Sequence, residues 1–282
     1  ASYRRQRQMC IRDRIIISCS SLPLSQQNLS CSFPESNPYP GGLINFPLVT
    51  DEEITQKDIN TDGLKIYLCN ERSGKKNILV PLPLTFKNEK VSIYLKDKKI
   101  VSVKLEDKFY RESRITIQNQ EYVSPPVSFQ ERIKKEYYQG QEAIKTYSIE
   151  KPKSMRMLKP VEGIISSEFG VRRFINDEPR NRHIGLDIAA EEGTPLFSPL
   201  EGKVILIGNF FYKGNVVYVD HGNGLVSSFS HLSTIDVKEG QMVSSRELLG
   251  RVGSTGRVTG PHVHWEVSFL GVPINPAIFL AE

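Results

Sequence analysis

The 282-residue sequence holds five histidines, four cysteines and one tryptophan, and no long apolar run. A membrane-spanning helix needs roughly 18 apolar residues, whereas the longest runs here, such as Ile78 to Leu84, have the length of strands. No transmembrane segment is therefore expected. Cys10, Cys19, Cys31 and Cys69 include no C-x-x-C pair, which excludes a zinc ribbon or a thioredoxin-type site. Three of them fall in the first 31 residues, where a disulfide is allowed but not required. Cys69, inside KIYLCN, reads as a small buried hydrophobe. The glycine-rich stretch GSTGRVTGPH (253–262) lacks the G-x-x-x-x-G-K-[ST] order and a following helix, which excludes a phosphate cradle. Its glycines instead let a loop approach a substrate closely. An excess of one charge sign is also missing: 37 Lys and Arg stand against 32 Asp and Glu, a formal net charge of +5. The basic pairs Lys75-Lys76, Lys98-Lys99 and Lys134-Lys135 are scattered and read as solvated surface, so no nucleic-acid partner is expected.

With 39% hydrophobic and 24% charged residues the chain has ordinary globular composition, and its length suits two folded units with extensions. Residues 1–40 read as an extended leader, basic at first and then rich in Ser, Pro, Asn and Gln. Within it, residues 1–14 resemble translated adapter sequence, which leaves the true start and any export signal open. From Gly41, short alternating or β-branched segments (LINFPLV, LKIYLC, NILVPLPLTF, VSIYL, IVSVKL, RITIQ) are separated by polar turns, the pattern of a small β-sandwich over 41–125. Ser128 and Glu131 then form an S-x-x-E capping box at the start of a helix from about residue 129 to 146, whose stripe of Phe129, Ile133, Tyr137 and Ile144 docks on a neighbour. The helix and a linker occupy 126–158. Residues 159–282 return to strands and glycine-rich turns. The expected fold class is mostly β: an N-terminal sandwich, one connecting helix and a C-terminal antiparallel sheet.

All five histidines lie between His183 and His264. In PHVHWEVSF (261–269), strand alternation puts Val263, Trp265, Val267 and Phe269 on one face and His262, His264, Glu266 and Ser268 on the other. In NRHIGLDIAA (181–190) the same alternation puts His183, Gly185 and Asp187 on one face, with a side-chain-free gap between His183 and Asp187. Together with His264 this makes two imidazoles and one carboxylate, a set suited to Zn2+, and three protein ligands leave a fourth position open for catalysis. His262 and His231 (in SFSHLS) are left to serve jointly as general base and transition-state stabiliser, with the division between them open. His221, in VDHGNG, reads as a turn residue.

These residues resemble the lysostaphin-type, or LytM-type, zinc metallopeptidases, a family of cell-wall peptidoglycan hydrolases. The resemblance is carried by SSEFGVRR, the H-x-x-x-D of HIGLDIAA, GNVVYVDHGNGLVSSFSHLS, VKEGQMV and GSTGRVTGPHVHWEV, and covers roughly residues 159–280. It implies that His183, Asp187 and His264 hold Zn2+, that His231 and His262 are catalytic, and that a groove on an antiparallel sheet takes peptidoglycan peptides. A periplasmic or secreted location goes with it. The upstream region, with FYRESRITIQ and ERIKKE, is similar to the accessory part of Gram-negative-type members, which can restrict access to the groove. Two departures stand out. Ser244-Ser245-Arg246 replaces a usual glycine, and Phe229 replaces a frequent tyrosine, which puts a turn and one polar contact of the groove in doubt. The rival readings are a catalytically inactive activator or binding partner of other wall hydrolases, and an amidase or carboxypeptidase with the same metal chemistry.

Overall fold

The computed structural model describes residues 31, 33–71, 73–118, 120–149, 152 and 154–280. The expected leader lies mostly outside the described residues. Its last part packs against the fold: Tyr39 is buried, and Cys31 is buried in a disulfide with Cys69. Cys69 is therefore no lone hydrophobe. A partner 38 positions away in sequence left no spacing signal to read.

Six strands open the fold: β1 (Leu43–Leu48), β2 (Ile59–Thr61), β3 (Tyr67–Asn70), β4 (Lys76–Pro81), β5 (Lys90–Leu95) and β6 (Lys98–Lys104). They form two three-stranded antiparallel sheets, ordered β1-β4-β3 and β2-β5-β6. The β5–β6 hairpin turns through Lys96 and Asp97, both at positive φ, as a two-residue turn that matches strand twist requires. Ile44, Leu68, Ile78, Val80, Val91 and Ile93 fill the space between the sheets. On the opposite face of the first sheet, Leu43, Tyr67, Cys69 and Leu79 enter a second, larger core with Met157, Trp265 and Phe269. This explains the continuous apolar run at 78–82: β4 is covered on both faces, so alternation gives way to uninterrupted burial.

Beyond the sandwich, β7 (Glu112–Ile115) is followed by a one-turn helix α1 (Gln120–Val123) and by α2 (Val127–Ile144). Helix α2 starts two residues earlier than expected. Pro126 is its N-cap, without a side-chain capping bond, so Ser128 already sits inside the first turn and the capping box does not form. Tyr137 is 61% exposed and leaves the expected stripe. The buried end of the helix is Ala143 and Ile144, packed on Phe210, Val216, Tyr218 and Val226. Gly140 permits that approach, since a Cβ there would lie 2.9 Å from the Tyr218 hydroxyl. The expected linker also packs, with Met155 and Met157 buried.

The remaining strands are β8 (Ile164–Ser167), β9 (Arg172–Ile175), β10 (Glu178–Pro179), β11 (Leu186–Ala189), β12 (Pro195–Phe197), β13 (Gly202–Phe210) and β14 (Gly214–Gly222). After them come β15 (Leu225–Leu232), β16 (Thr234–Ile235), β17 (Met242–Val243), β18 (Leu248–Arg251), β19 (His262–Phe269) and β20 (Val272–Ile274). The main antiparallel sheet runs β17-β13-β14-β15-β19-β11-β8, with β20 on β19. Strands β12, β18 and β16 make a small second sheet, while β7 pairs in parallel with β9 in a third. One face of the main sheet presents Leu186, Ile188, Val217, Phe229, Val263, Trp265 and Val267 to the large core. Phe229 thus lies in that core rather than in a groove, where a tyrosine hydroxyl would need a partner. Arg246 adopts φ +66° in the turn where the resemblance expects glycine. The other face of the sheet is covered by α2 and, next to it, carries the polar residues described below.

Candidate metal centre and its histidines

Asp187 on β11 and His264 on β19 are direct partners in the strand register. His183 is not on that strand, as alternation had suggested; it precedes β11 and pairs its backbone with Gly170 and Val171 instead. The chain bends at Gly185, where a Cβ would lie 2.7 Å from His264 Cε1. That glycine makes room for the His264 ring rather than for a cation. The bend folds His183 back over Asp187, and three atoms converge. His183 Nε2 is 2.9 Å from Asp187 Oδ1 and 2.9 Å from His264 Nδ1, and His264 Nδ1 is 2.7 Å from Asp187 Oδ1. All three residues are buried.

Outer partners fix what those atoms can be. The His183 Nδ1–H donates to the Glu168 carbonyl at 2.7 Å, which leaves Nε2 as a lone pair. The His264 Nε2–H donates to Glu266 Oε1 at 2.8 Å, so that Nδ1 turns inward. Without a cation, the three converging atoms can share only the proton that His264 Nδ1 gives Asp187. Burial works against charge on His264, but its hydrogen bonds to Asp187 and Glu266 prevail and raise its pKa. His183 is pushed down to about 4, chiefly by burial. Burial would raise the Asp187 carboxyl, yet the two imidazoles on Oδ1 hold it below the usual carboxylate range. The centre therefore attracts positive charge while it is short of protons. Zinc bonds of about 2.0–2.1 Å in tetrahedral sites put ligand atoms roughly 3.3–3.4 Å apart, so the donors would fit such an ion after opening by roughly half an ångström.

His262 and His231 stand beside the triad. His262 Nε2 is 4.0 Å from Asp187 Oδ1, and the His231 ring centroid is 4.8 Å from that of His262 and 6.1 Å from that of His264. The two Nδ1–H groups donate to the carbonyls of Gly260 and Thr255, each at 2.8 Å, which leaves both Nε2 atoms as acceptors. Burial, with the neighbouring rings adding to it, pushes His231 down to about 3; burial also lowers His262. Both rings are neutral at pH 7. His231 has φ +69°, a left-handed conformation that costs a non-glycine residue about 1–2 kcal/mol, and its backbone N–H donates to the Lys213 carbonyl. Such a backbone kink releases the ring from strict strand alternation.

Three side chains around the site were not assigned from sequence. Arg173 Nη2 lies 3.1 Å from Asp187 Oδ2, Glu266 backs His264, and Lys213 Nζ lies 2.6 Å from Glu266 Oε2. Alternation had already put Glu266 on the ligand face, so its position was readable and its role was not. Nothing local marks Arg173 or Lys213. His221 stays apart from the site: it is buried at the end of β14, with Nδ1–H donating to the Glu201 carbonyl and Nε2 at 2.9 Å from Ser227 Oγ. Its role is structural, though in a strand rather than a turn.

A pH dependence follows from these rings. His183, His221 and His231 have folded pKa values of about 4, 4 and 3, against 6.5 for the free side chain. The unfolded chain therefore binds protons first as pH falls below 6.5. Stability is lost over the window between 6.5 and the folded values. The urea midpoint of chelator-treated protein should be lower at pH 4.5 than at pH 7; an unchanged midpoint would contradict burial of these rings as neutral species.

A profile of Peptidase family M23 matches residues 181–276, the stretch that contains all five residues of the centre. Among curated proteins, the peptidoglycan DD-endopeptidase ShyA of Vibrio cholerae is 44% identical over 112 residues, which is 39% of this chain and 26% of ShyA. The DD-carboxypeptidase/endopeptidase Mpg of Neisseria meningitidis is 41% identical over 112 residues, covering 40% of this chain and 26% of Mpg. The matches thus span about a quarter of the length of these relatives. A Pseudomonas aeruginosa crystal structure described as a peptidase M23 superposes with a TM-score of 0.68 at 33% identity, covering 89% of this chain and 98% of that one. At 89% coverage of this chain, that likeness cannot be confined to either the sandwich or the main sheet alone. The chain belongs to peptidase family M23.

Proposed function

We propose that this chain is a zinc-dependent endopeptidase that hydrolyses peptide cross-links of bacterial peptidoglycan. The observation that carries the reading is the buried convergence of His183, Asp187 and His264 beside two neutral histidines with free Nε2 atoms. When bound, zinc supplies a Lewis acid that activates water and polarises a peptide carbonyl. His183 Nε2, Asp187 Oδ1 and His264 Nδ1 would hold it. His231 and His262 are the groups that accept a proton from the attacking water, deliver one to the leaving amine and steady the developing oxyanion. Their shared neutral state equips both to act as base. The names of the relatives, a peptidoglycan DD-endopeptidase and a DD-carboxypeptidase/endopeptidase, support this substrate class. A periplasmic or secreted location fits the Cys31–Cys69 disulfide, since such bonds persist in oxidising compartments. In this reading residues 41–125 act as an accessory unit beside the catalytic part at 159–282.

The test is digestion of purified peptidoglycan, with products analysed by mass spectrometry. Separated stem peptides, lost on chelation and restored by zinc, are the expected outcome. Glycan strands stripped of peptide would point to an amidase. Stoichiometric zinc without turnover would point to the inactive-partner reading, which the complete set of five residues does not favour.

A further inference from the structure

Lys213 touches both halves of the site without belonging to either. Its carbonyl accepts the backbone N–H of His231 at 2.8 Å. Its ammonium lies 2.6 Å from Glu266 Oε2 and 3.2 Å from the Tyr218 hydroxyl. Ser228 Oγ donates to the same Glu266 oxygen at 2.9 Å, while the other, Oε1, accepts from His264 Nε2 at 2.8 Å. Glu266 is buried, so water is a poor substitute for a lost partner; Oε2 faces the ammonium and Ser228, and Oε1 faces the His264 ring. Lys213 is held in turn. Gly214, at φ +61°, packs so tightly on Thr255 that a Cβ would come within 2.2 Å of Thr255 Oγ1, and Thr255 supplies the carbonyl that fixes His231 Nδ1.

We propose that Lys213 is a positioning residue for the metal centre: through Glu266 it fixes His264 with Nδ1 inward, while its carbonyl anchors His231 at a set distance from that ring. The inference rests on the metal reading given above. Glu266 alone could rotate or turn its acceptor to Ser228; pinned by the ammonium, it keeps Oε1 on His264. Outer partners of metal-binding histidines orient the ring and raise its basicity, and their loss typically weakens metal affinity about 10–100-fold.

The test uses the full chain and reads zinc affinity directly, by competition with a chromophoric chelator, beside the thermal midpoint. Wild-type protein that binds no zinc would overturn the metal reading itself, before any variant is compared. Given wild-type binding, Lys213→Met should raise the zinc dissociation constant about 10–100-fold, and Lys213→Arg, which keeps the cation, should recover most of the loss. A folded Lys213→Met variant with wild-type zinc affinity overturns the proposal. Should that variant fail to fold because Glu266 is left buried and unpaired, the pair Glu266→Gln and Lys213→Met/Glu266→Gln decides, since the double variant removes both charges. Zinc affinity weaker than wild type in Glu266→Gln, and no weaker again in the double variant, is the expected result for a route through Glu266, whereas wild-type affinity in Glu266→Gln overturns it. A further drop in the double variant overturns that route.

Discussion

Replacing Asp187 or His264 by alanine should abolish zinc binding and turnover together, whereas His231→Ala should keep its zinc and lose about 10²–10⁴-fold in kcat. The contrast follows from what each residue touches. Asp187 Oδ1 and His264 Nδ1 are two of the three converging donors, 2.7 Å apart, and among the described residues only His183 converges with them. His231 contributes no donor to that group; its ring is tied to the Thr255 carbonyl and keeps Nε2 free. Zinc per chain and turnover on peptidoglycan, measured for all three variants, decide the matter. Retained metal in every variant would place the cation elsewhere. Asp187→Ala should also be less stable, because Arg173 would keep a largely desolvated guanidinium with no carboxylate at 3.1 Å. Comparing thermal midpoints with and without zinc separates that cost from the loss of metal.

The second large effect concerns stability. The Cys31–Cys69 disulfide closes a loop of 38 residues, and the chain-entropy relation assigns such a loop about 4 kcal/mol. Cys69→Ser should lower the unfolding free energy by roughly that amount, read from urea transitions. A reducing agent should lower the stability of the wild-type chain towards that of the variant and leave the variant unchanged. Equal midpoints for wild type and variant under oxidising conditions would show that the bond contributes nothing. Both cysteines lie in the core that also holds Trp265 and Phe269, so the variant should loosen the packing of β3 on the larger sheet as well.

The pattern of residues that reach the centre explains what the sequence made legible. His264 and Glu266 could be placed because β19 is a regular strand, where alternate residues share a face regardless of what surrounds them. The same rule misplaced His183: it assumes an extended chain, and Gly185 bends instead. The Asp187–His264 pairing depends on strand register, which the hydrophobic pattern of one strand cannot set for two. His231 sits at positive φ in β15, a kink uncommon for any non-glycine residue and held here by its tertiary partners, the Lys213 and Thr255 carbonyls. Arg173 and Lys213 were invisible for a related reason. Each is one basic residue among many, given meaning by a carboxylate distant in sequence. The mostly β architecture was more legible, because short alternating segments and turn residues recur over the whole span. The capping box at Ser128 failed where Pro126, with its φ already fixed near helical values, started the helix first.

Strand β4 presents Ile78 and Val80 to one core and Leu79 to another, and the Tyr67 ring meets Phe269 edge-on at 5.8 Å. Swinging the front unit aside as a hinged lid would strip oily surface from both partners at once. Access to the site is therefore more readily altered by small local shifts, such as peeling β7 from β9, than by detaching the first sheet of the sandwich from the core it shares with the main sheet. For the same reason, a truncated protein starting near residue 155 would carry a bare hydrophobic patch and tend to self-associate.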